Sequence, residues 1–158
     1  RAESCRPGMS RIAWRSIPFA ALTVAELYEA LQLRSEVFVM EQACIYQDMD
    51  GSDPEAVHVL GASDGQLVAY ARCFAVGVKF AEASIGRVII RKAMRGGGIG
   101  HELMRQALAC VFKHSGMQPI RIGAQARLEN FYVQHGFVKA GETYIEDGIP
   151  HVEMLRAV

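Results

Sequence analysis

The sequence predicts an α/β (α+β) domain, a mixed β-sheet carrying helices on both faces. The middle of the chain is rich in apolar, β-branched segments, and the half that follows alternates strand with helix. Gly86–Gly116 joins the two patterns. There the run Gly86-Arg87-Val88-Ile89-Ile90 leads through Arg95-Gly96-Gly97-Gly98-Ile99-Gly100 into a helix-patterned stretch. A length of 158 residues, 51% apolar and 22% charged, suits one unit with a sizeable core.

The elements follow in order. Residues 12–17 alternate loosely and predict a first strand, closed by Pro18. Thr23-Val24-Ala25-Glu26 spells a capping box, and Val24, Leu27, Leu31 and Phe38 recur near helical spacing, so a helix is expected from Thr23 toward Met40. A polar loop follows over 42–55, with turn signals at Asp50-Gly51 and Asp53-Pro54. Residues 57–60 and 66–74 form a hairpin about Asp64-Gly65, and 86–90 is the next strand. The helix after the glycines carries Ile99, Leu103, Met104, Ala107, Leu108, Val111 and Phe112 on one face and stops at Gly116. A short strand at 119–123, a short helix at 128–135 stopped by Gly136, and two strands around 137–145 and 151–155 complete the chain.

Composition narrows the partners. Lys plus Arg and Asp plus Glu both number 17, so no overall field selects nucleic acid or an anionic membrane. A small partner fits better. Cys5, Cys44, Cys73 and Cys110 are scattered with no Cys-x-x-Cys pair and read as reduced thiols, which favours the cytoplasm. No apolar run approaches the roughly 20 residues that span a bilayer. The polar segment ahead of Met9 reads as a disordered tail, 1–9, leaving a single domain over 10–158. Monomer and homodimer are both compatible with this pattern.

A strand feeding a glycine turn that opens a helix converges unpaired N–H groups and the positive end of the helix dipole on one point. An anion belongs there, and glycine permits both its close approach and positive φ angles. A Walker-type loop needs Lys-Ser or Lys-Thr after its last glycine, whereas His101-Glu102 follow Gly100. Gly96, Gly98 and Gly100 also miss the Gly-x-Gly-x-x-Gly spacing of the dinucleotide fold.

Arg95, Gly98 and Gly100 give Arg-x-x-Gly-x-Gly, which resembles the acyl-CoA loop of the GNAT superfamily of N-acetyltransferases. Tyr132, Gly136 and Phe137 give Tyr-x-x-x-Gly-Phe, which resembles the second motif of that superfamily. Gln125 stands where many members carry Asn, and Lys92 where many carry Pro. Longer strings over 33–46, 50–53, 86–88, 124–126 and 146–151 look like the ElaA-like branch.

The resemblance implies a GNAT-like, mostly antiparallel sheet of six to seven strands and transfer of an acetyl group from acetyl-CoA to an amine in a ternary complex. Backbone groups of Val88, Ile89 and Ile90 would hold the pantetheine arm, and Arg95, Gly96, Gly97, Gly98, Ile99 and Gly100 the pyrophosphate, with Gln125 nearby. Tyr132 would protonate the departing thiolate as general acid. The acceptor is a small-molecule or peptide amine, and an amine of pKa ~10.4 must lose a proton before it attacks. Glu41, His58, Glu146 and His151 are candidate bases. His58, Arg34, Arg72 and Arg87 are candidate substrate residues, although each arginine could equally pair with a local acid such as Asp50 or Asp53. No metal-ligand spacing occurs. The alternative reading is a non-catalytic acyl-CoA-binding regulatory module.

Overall fold

The structure, a computed structural model, describes residues 11–158; the expected tail lies outside them. One eight-stranded sheet organises the chain, in the order β1-β2-β3-β4-β5-β8-β6, with β7 paired to β8. The strands are β1 (Ala13–Pro18), β2 (Val57–Ser63), β3 (Gln66–Phe74), β4 (Ala83–Ile90), β5 (Ile120–Gln125), β6 (Val138–Lys139), β7 (Tyr144–Glu146) and β8 (Ile149–Arg156). All pairings are antiparallel except β4 with β5. The count exceeds six to seven because the strand expected over 137–145 is broken. Ala140 N–H still donates to Glu153 O, but pairing resumes only at Tyr144.

The helices are α1 (Val24–Arg34), α2 (Ile99–Ser115) and α3 (Glu129–Val133). Thr23 caps α1 with the full reciprocal capping box, its hydroxyl accepting from Glu26 N–H and the Glu26 carboxylate accepting from Thr23 N–H. The helical path then continues to Glu41 as expected, but Ser35–Glu41 winds as a π-helix. The Asp64-Gly65 hairpin signal holds, and Asp147-Gly148 makes a second turn of the same kind between β7 and β8. Asp64-Gly65 and Asp147-Gly148 have φ of 50°, 76°, 49° and 76°, the paired positive angles of a type I′ turn.

Two cores lie on opposite faces. β3 is buried on both, so Ala69, Ala71 and Cys73 meet α2 residues Leu103, Met104, Ala107 and Cys110 on one side. Tyr70 meets Leu33, Val37 and Ile89 on the other, under α1. Strand side chains alternate faces with period two, which is why a single strand supplies both cores.

Candidate active site

The site begins where β4 and β5 part. They pair in parallel only at Ala83–Ile120 and Ser84–Arg121, and beyond those residues the two strands diverge. A β-bulge explains part of the bend: three steps from Gly86 to Ile89 face two steps from Arg72 to Tyr70. Arg87 sits in the bulge with φ 49°, an angle uncommon for a residue with a side chain. A cleft of about 880 Å³ opens between the diverging strands, lined by β4, β5, the π-helix, the 42–50 loop and the β7–β8 turn.

The opened edge of β4 has no strand beside it, and there the Ile90 carbonyl accepts from Arg95 Nε at 3.0 Å. Arg91 N–H donates to Val68 O, so alternation turns Ile89 toward β3, where it pairs with Tyr70, and turns Val88 and Ile90 toward the cleft. The amide role expected over Val88–Ile90 therefore narrows to Val88 and Ile90. Ile89 is held in the ladder and contributes its buried side chain.

At the end of β4 the glycine loop turns into α2. Gly96 and Gly98 adopt φ of 90° and 80°, and a Cβ on either would meet nothing within 4 Å. Space is therefore present in front of the loop amides, and Gly98 forms the N-cap of α2 with no side chain supplying an acceptor. Gly100 packs differently: a Cβ there would lie 3.4 Å from the Phe131 ring. Donors without acceptors at a helix N-terminus suit a diphosphate, so this segment fits the group the motif implied.

Tyr132 reaches the cleft from α3, wedged edge-on between Phe131 and Phe137 with centroids at 5.1 and 6.0 Å. Its position follows from the stop after α3, where Gly136 takes φ 89° and Phe137 N–H returns to Tyr132 O. The Tyr132 hydroxyl has no hydrogen-bond partner among the described residues, and burial pushes its pKa up to about 12. It keeps its proton across ordinary pH.

The candidate bases separate. Glu41 lines the cleft but is clamped by Arg95, whose hydrogen bond holds the carboxyl below its ordinary value. A carboxylate so stabilised is a weak base, so Glu41 leaves that role. His58 is fully buried between Tyr70 Oη at 2.6 Å and Asp53 O at 2.9 Å, and burial lowers its pKa. It is neither base nor substrate contact. His151 lines the cleft, and because Ile149 O can only accept, its Nδ1 at 2.7 Å is the protonated nitrogen. Nε2 is turned the other way, 3.7 Å from the Glu146 carboxylate, and the ring stacks on Tyr144.

The candidate substrate arginines also separate. Arg34 is fully buried, bonding Asp48 and Asp53 at 2.8 Å, so the local-acid alternative holds for it. Arg72 binds Asp50 and Asp53 and is 2% exposed. Arg87 pairs with Asp48 yet stays at the cleft wall. Gln125 lines the cleft with its side chain held by Gln42 and Arg127. Asp48 and Tyr46 carry no site signal in the sequence, and Phe38, which reads there only as a helix-face residue, flanks Arg87 together with Tyr46. Only their place beside the acidic loop hinted at a role.

The diverging strands, the glycine loop at a helix start and a tyrosine lining the same cleft define an acyltransferase of the GNAT type. A family model described as the acetyltransferase (GNAT) domain matches residues 24–157, and the chain belongs to that family. Within it the chain is an ElaA-like member. It is 44% identical over 149 residues to Protein ElaA of Escherichia coli (strain K12), covering 93% of this chain and 97% of that protein. The crystal structure of Escherichia coli ElaA aligns with TM-score 0.87 at 43% identity, covering 92% of this chain and 99% of that chain. An acyl-CoA N-acyltransferase from Pseudomonas aeruginosa aligns with TM-score 0.89 at 43% identity, covering 93% and 100%.

Proposed function

We propose that this chain is an N-acetyltransferase that moves an acetyl group from acetyl-CoA to the neutral amine of a small molecule or peptide, both bound together in the cleft. The observation that carries the reading is the Val88 and Ile90 edge, which no neighbouring strand covers, running directly into a glycine loop at the start of α2. The family implies an acyl-CoA cosubstrate, and the Pseudomonas aeruginosa relative is described as an acyl-CoA N-acyltransferase.

Acetyl-CoA, when bound, supplies an activated thioester carbonyl. Val88 and Ile90 offer main-chain groups to its pantetheine arm, and Arg95 with the Gly96–Gly100 amides offers donors to its diphosphate. His151 Nε2 takes the proton that the attacking amine sheds. Tyr132 Oη gives a proton to the sulfur that leaves, and its lack of another partner keeps that proton available. The three buried thiols Cys44, Cys73 and Cys110 support a reducing, cytoplasmic setting. Among the described residues no helix is long and apolar enough to cross a membrane.

A thiol-release assay with acetyl-CoA across a panel of amines tests this. Amine-dependent release with stoichiometric N-acetyl product supports it. Tight acetyl-CoA binding with no release across the panel would instead favour a non-catalytic acyl-CoA module.

A further inference from the structure

The acceptor end of the cleft rests on a charge network that does not balance. Arg34 pairs with Asp48 and Asp53, Arg72 with Asp50 and Asp53, Lys79 with Asp50, and Arg87 with Asp48 and, at 3.7 Å, Asp50. Four cations thus share three carboxylates. Among the described residues no further carboxylate joins them, so one positive charge is left over; Lys79 keeps its charge in contact with solvent, while the three arginines are buried or half-buried. A low-dielectric surrounding makes an uncompensated charge costly and an incoming anion correspondingly well held.

One unspent donor of the network lies at the cleft wall. Arg34 spends Nε, Nη1 and Nη2 on Asp48 and Asp53, and it is sealed from the cleft. Arg72 is nearly as deep, and its Nε, which also lacks an acceptor, is shut off from solvent. Arg87 spends Nε on Asp48 Oδ1 at 2.8 Å and Nη2 on Asp48 O at 2.9 Å, but Nη1 has no acceptor among the described residues. The side chain keeps 22% of its surface open at the cleft wall. Its guanidinium is held flat by the Phe38 and Tyr46 rings, at 5.7 and 5.8 Å. The bulge adds an independent observation. A positive φ at a non-glycine residue is a conformation the surroundings must enforce, and here it is enforced at the residue whose head faces the cleft.

We propose that Arg87 Nη1 receives a carboxylate of the acceptor, so that the acceptor is an amine that also carries a carboxylate, as an amino acid does. This rests on reading the cleft as an acyltransferase site. The Phe38 and Tyr46 rings that flank the guanidinium, with Phe80 further along the wall, give this end an aromatic stretch that suits an apolar side chain on such an acceptor, whereas the Phe74 ring is covered by Arg72 and Lys79. An anchored cation bound through two of its nitrogens reaches an anion with little further loss of rotamer freedom.

The test reads binding without turnover. Protein saturated with CoA is titrated calorimetrically with matched pairs: L-phenylalanine against phenethylamine, L-leucine against isoamylamine, L-methionine against 3-(methylthio)propylamine. The carboxylate-bearing member of at least one pair is expected to bind about tenfold or more tightly than its partner, with the preference shrinking as salt rises. In Arg87→Gln that ratio falls to about one, while Arg87→Lys keeps part of it. Equal binding within every pair, tighter binding of the amines, binding by neither member, or a ratio unchanged in Arg87→Gln would each overturn the proposal. If Arg87→Gln does not fold, the wild-type ratios decide alone. Absence of thiol release contradicts the transferase reading and leaves these ratios untouched, so the two failures are told apart.

Discussion

The Glu41 carboxylate and the Arg95 guanidinium form a two-point ion pair across the mouth of the cleft, with Oε2 2.9 Å from Nη2. Arg95 Nε meanwhile donates to Ile90 O on the open strand edge. The end of the π-helix is thereby fastened to the start of the glycine loop.

Because Arg95 stands where a diphosphate is expected, Glu41 is a like-charged competitor for it. Glu41→Gln should bind acetyl-CoA a few-fold more tightly at low ionic strength, given that partly exposed ion pairs are worth about 0.2–1 kcal/mol. The basic group seen in a plot of kcat/KM against pH should persist in the variant. Calorimetry and the pH profile check both. Loss of that basic limb would return Glu41 to the role of base.

Tyr132→Phe should leave the affinity for acetyl-CoA near wild type and lower turnover by about 10²–10⁴-fold, the usual reach of a positioned acid. The ring's packing against Phe131 and Phe137 is kept in the variant. Single-turnover measurement with a verified acceptor isolates the step. An unchanged chemical rate would remove Tyr132 from catalysis.

Gly98→Val places a β-branched residue at φ 80°, and the left-handed region costs about 1–2 kcal/mol for a residue with a Cβ. The variant should lose most acetyl-CoA affinity while the cores, remote from the loop, keep the fold. Gly97→Ala, which lies beside it, should be milder. Titration of each variant with acetyl-CoA and a thermal melt separate binding from folding.

The buried ion network predicts an acid limit. Burial opposes ionisation of Asp53, but hydrogen bonds from Arg34 and Arg72 outweigh it and lower its pKa; Arg72 does the same, more strongly, for Asp50. A carboxyl lowered on folding stabilises the protein above its unfolded pKa of about 3.9, and that contribution is lost as pH falls through the lower folded value. Urea stability should therefore decline below about pH 4. Asp53→Asn should cost about 1–3 kcal/mol at neutral pH, because Arg34 and Arg72 lose the carboxylate they share and keep only Asp48 and Asp50, and it should flatten the acid limb. A neutral-pH loss under about 1 kcal/mol would show that the pairs contribute little.

Much of this was legible in residues whose local chemistry is self-contained. The Thr23–Glu26 box, the Asp64-Gly65 and Asp147-Gly148 turns, and the glycine loop each specify their geometry within a few positions. Arg87 illustrates what was not. Its bulge depends on how β4 registers against β3, and Gly86-Arg87-Val88 reads as an uninterrupted strand. The π-helical winding of Ser35–Glu41 is likewise invisible to a 3.6-residue period. His58 and Arg34 looked available because burial is set by the Asp48–Asp53 loop folding back on them, a contact across 14 and 19 positions for Arg34.

The most direct test of the central claim is a crystal structure of the protein with acetyl-CoA. The account predicts the diphosphate on the Gly96–Gly100 amides, the pantetheine arm along Val88 and Ile90, and the sulfur beside Tyr132. A cofactor seated elsewhere, with β4 and β5 zipped together or the loop amides turned from it, would contradict the account.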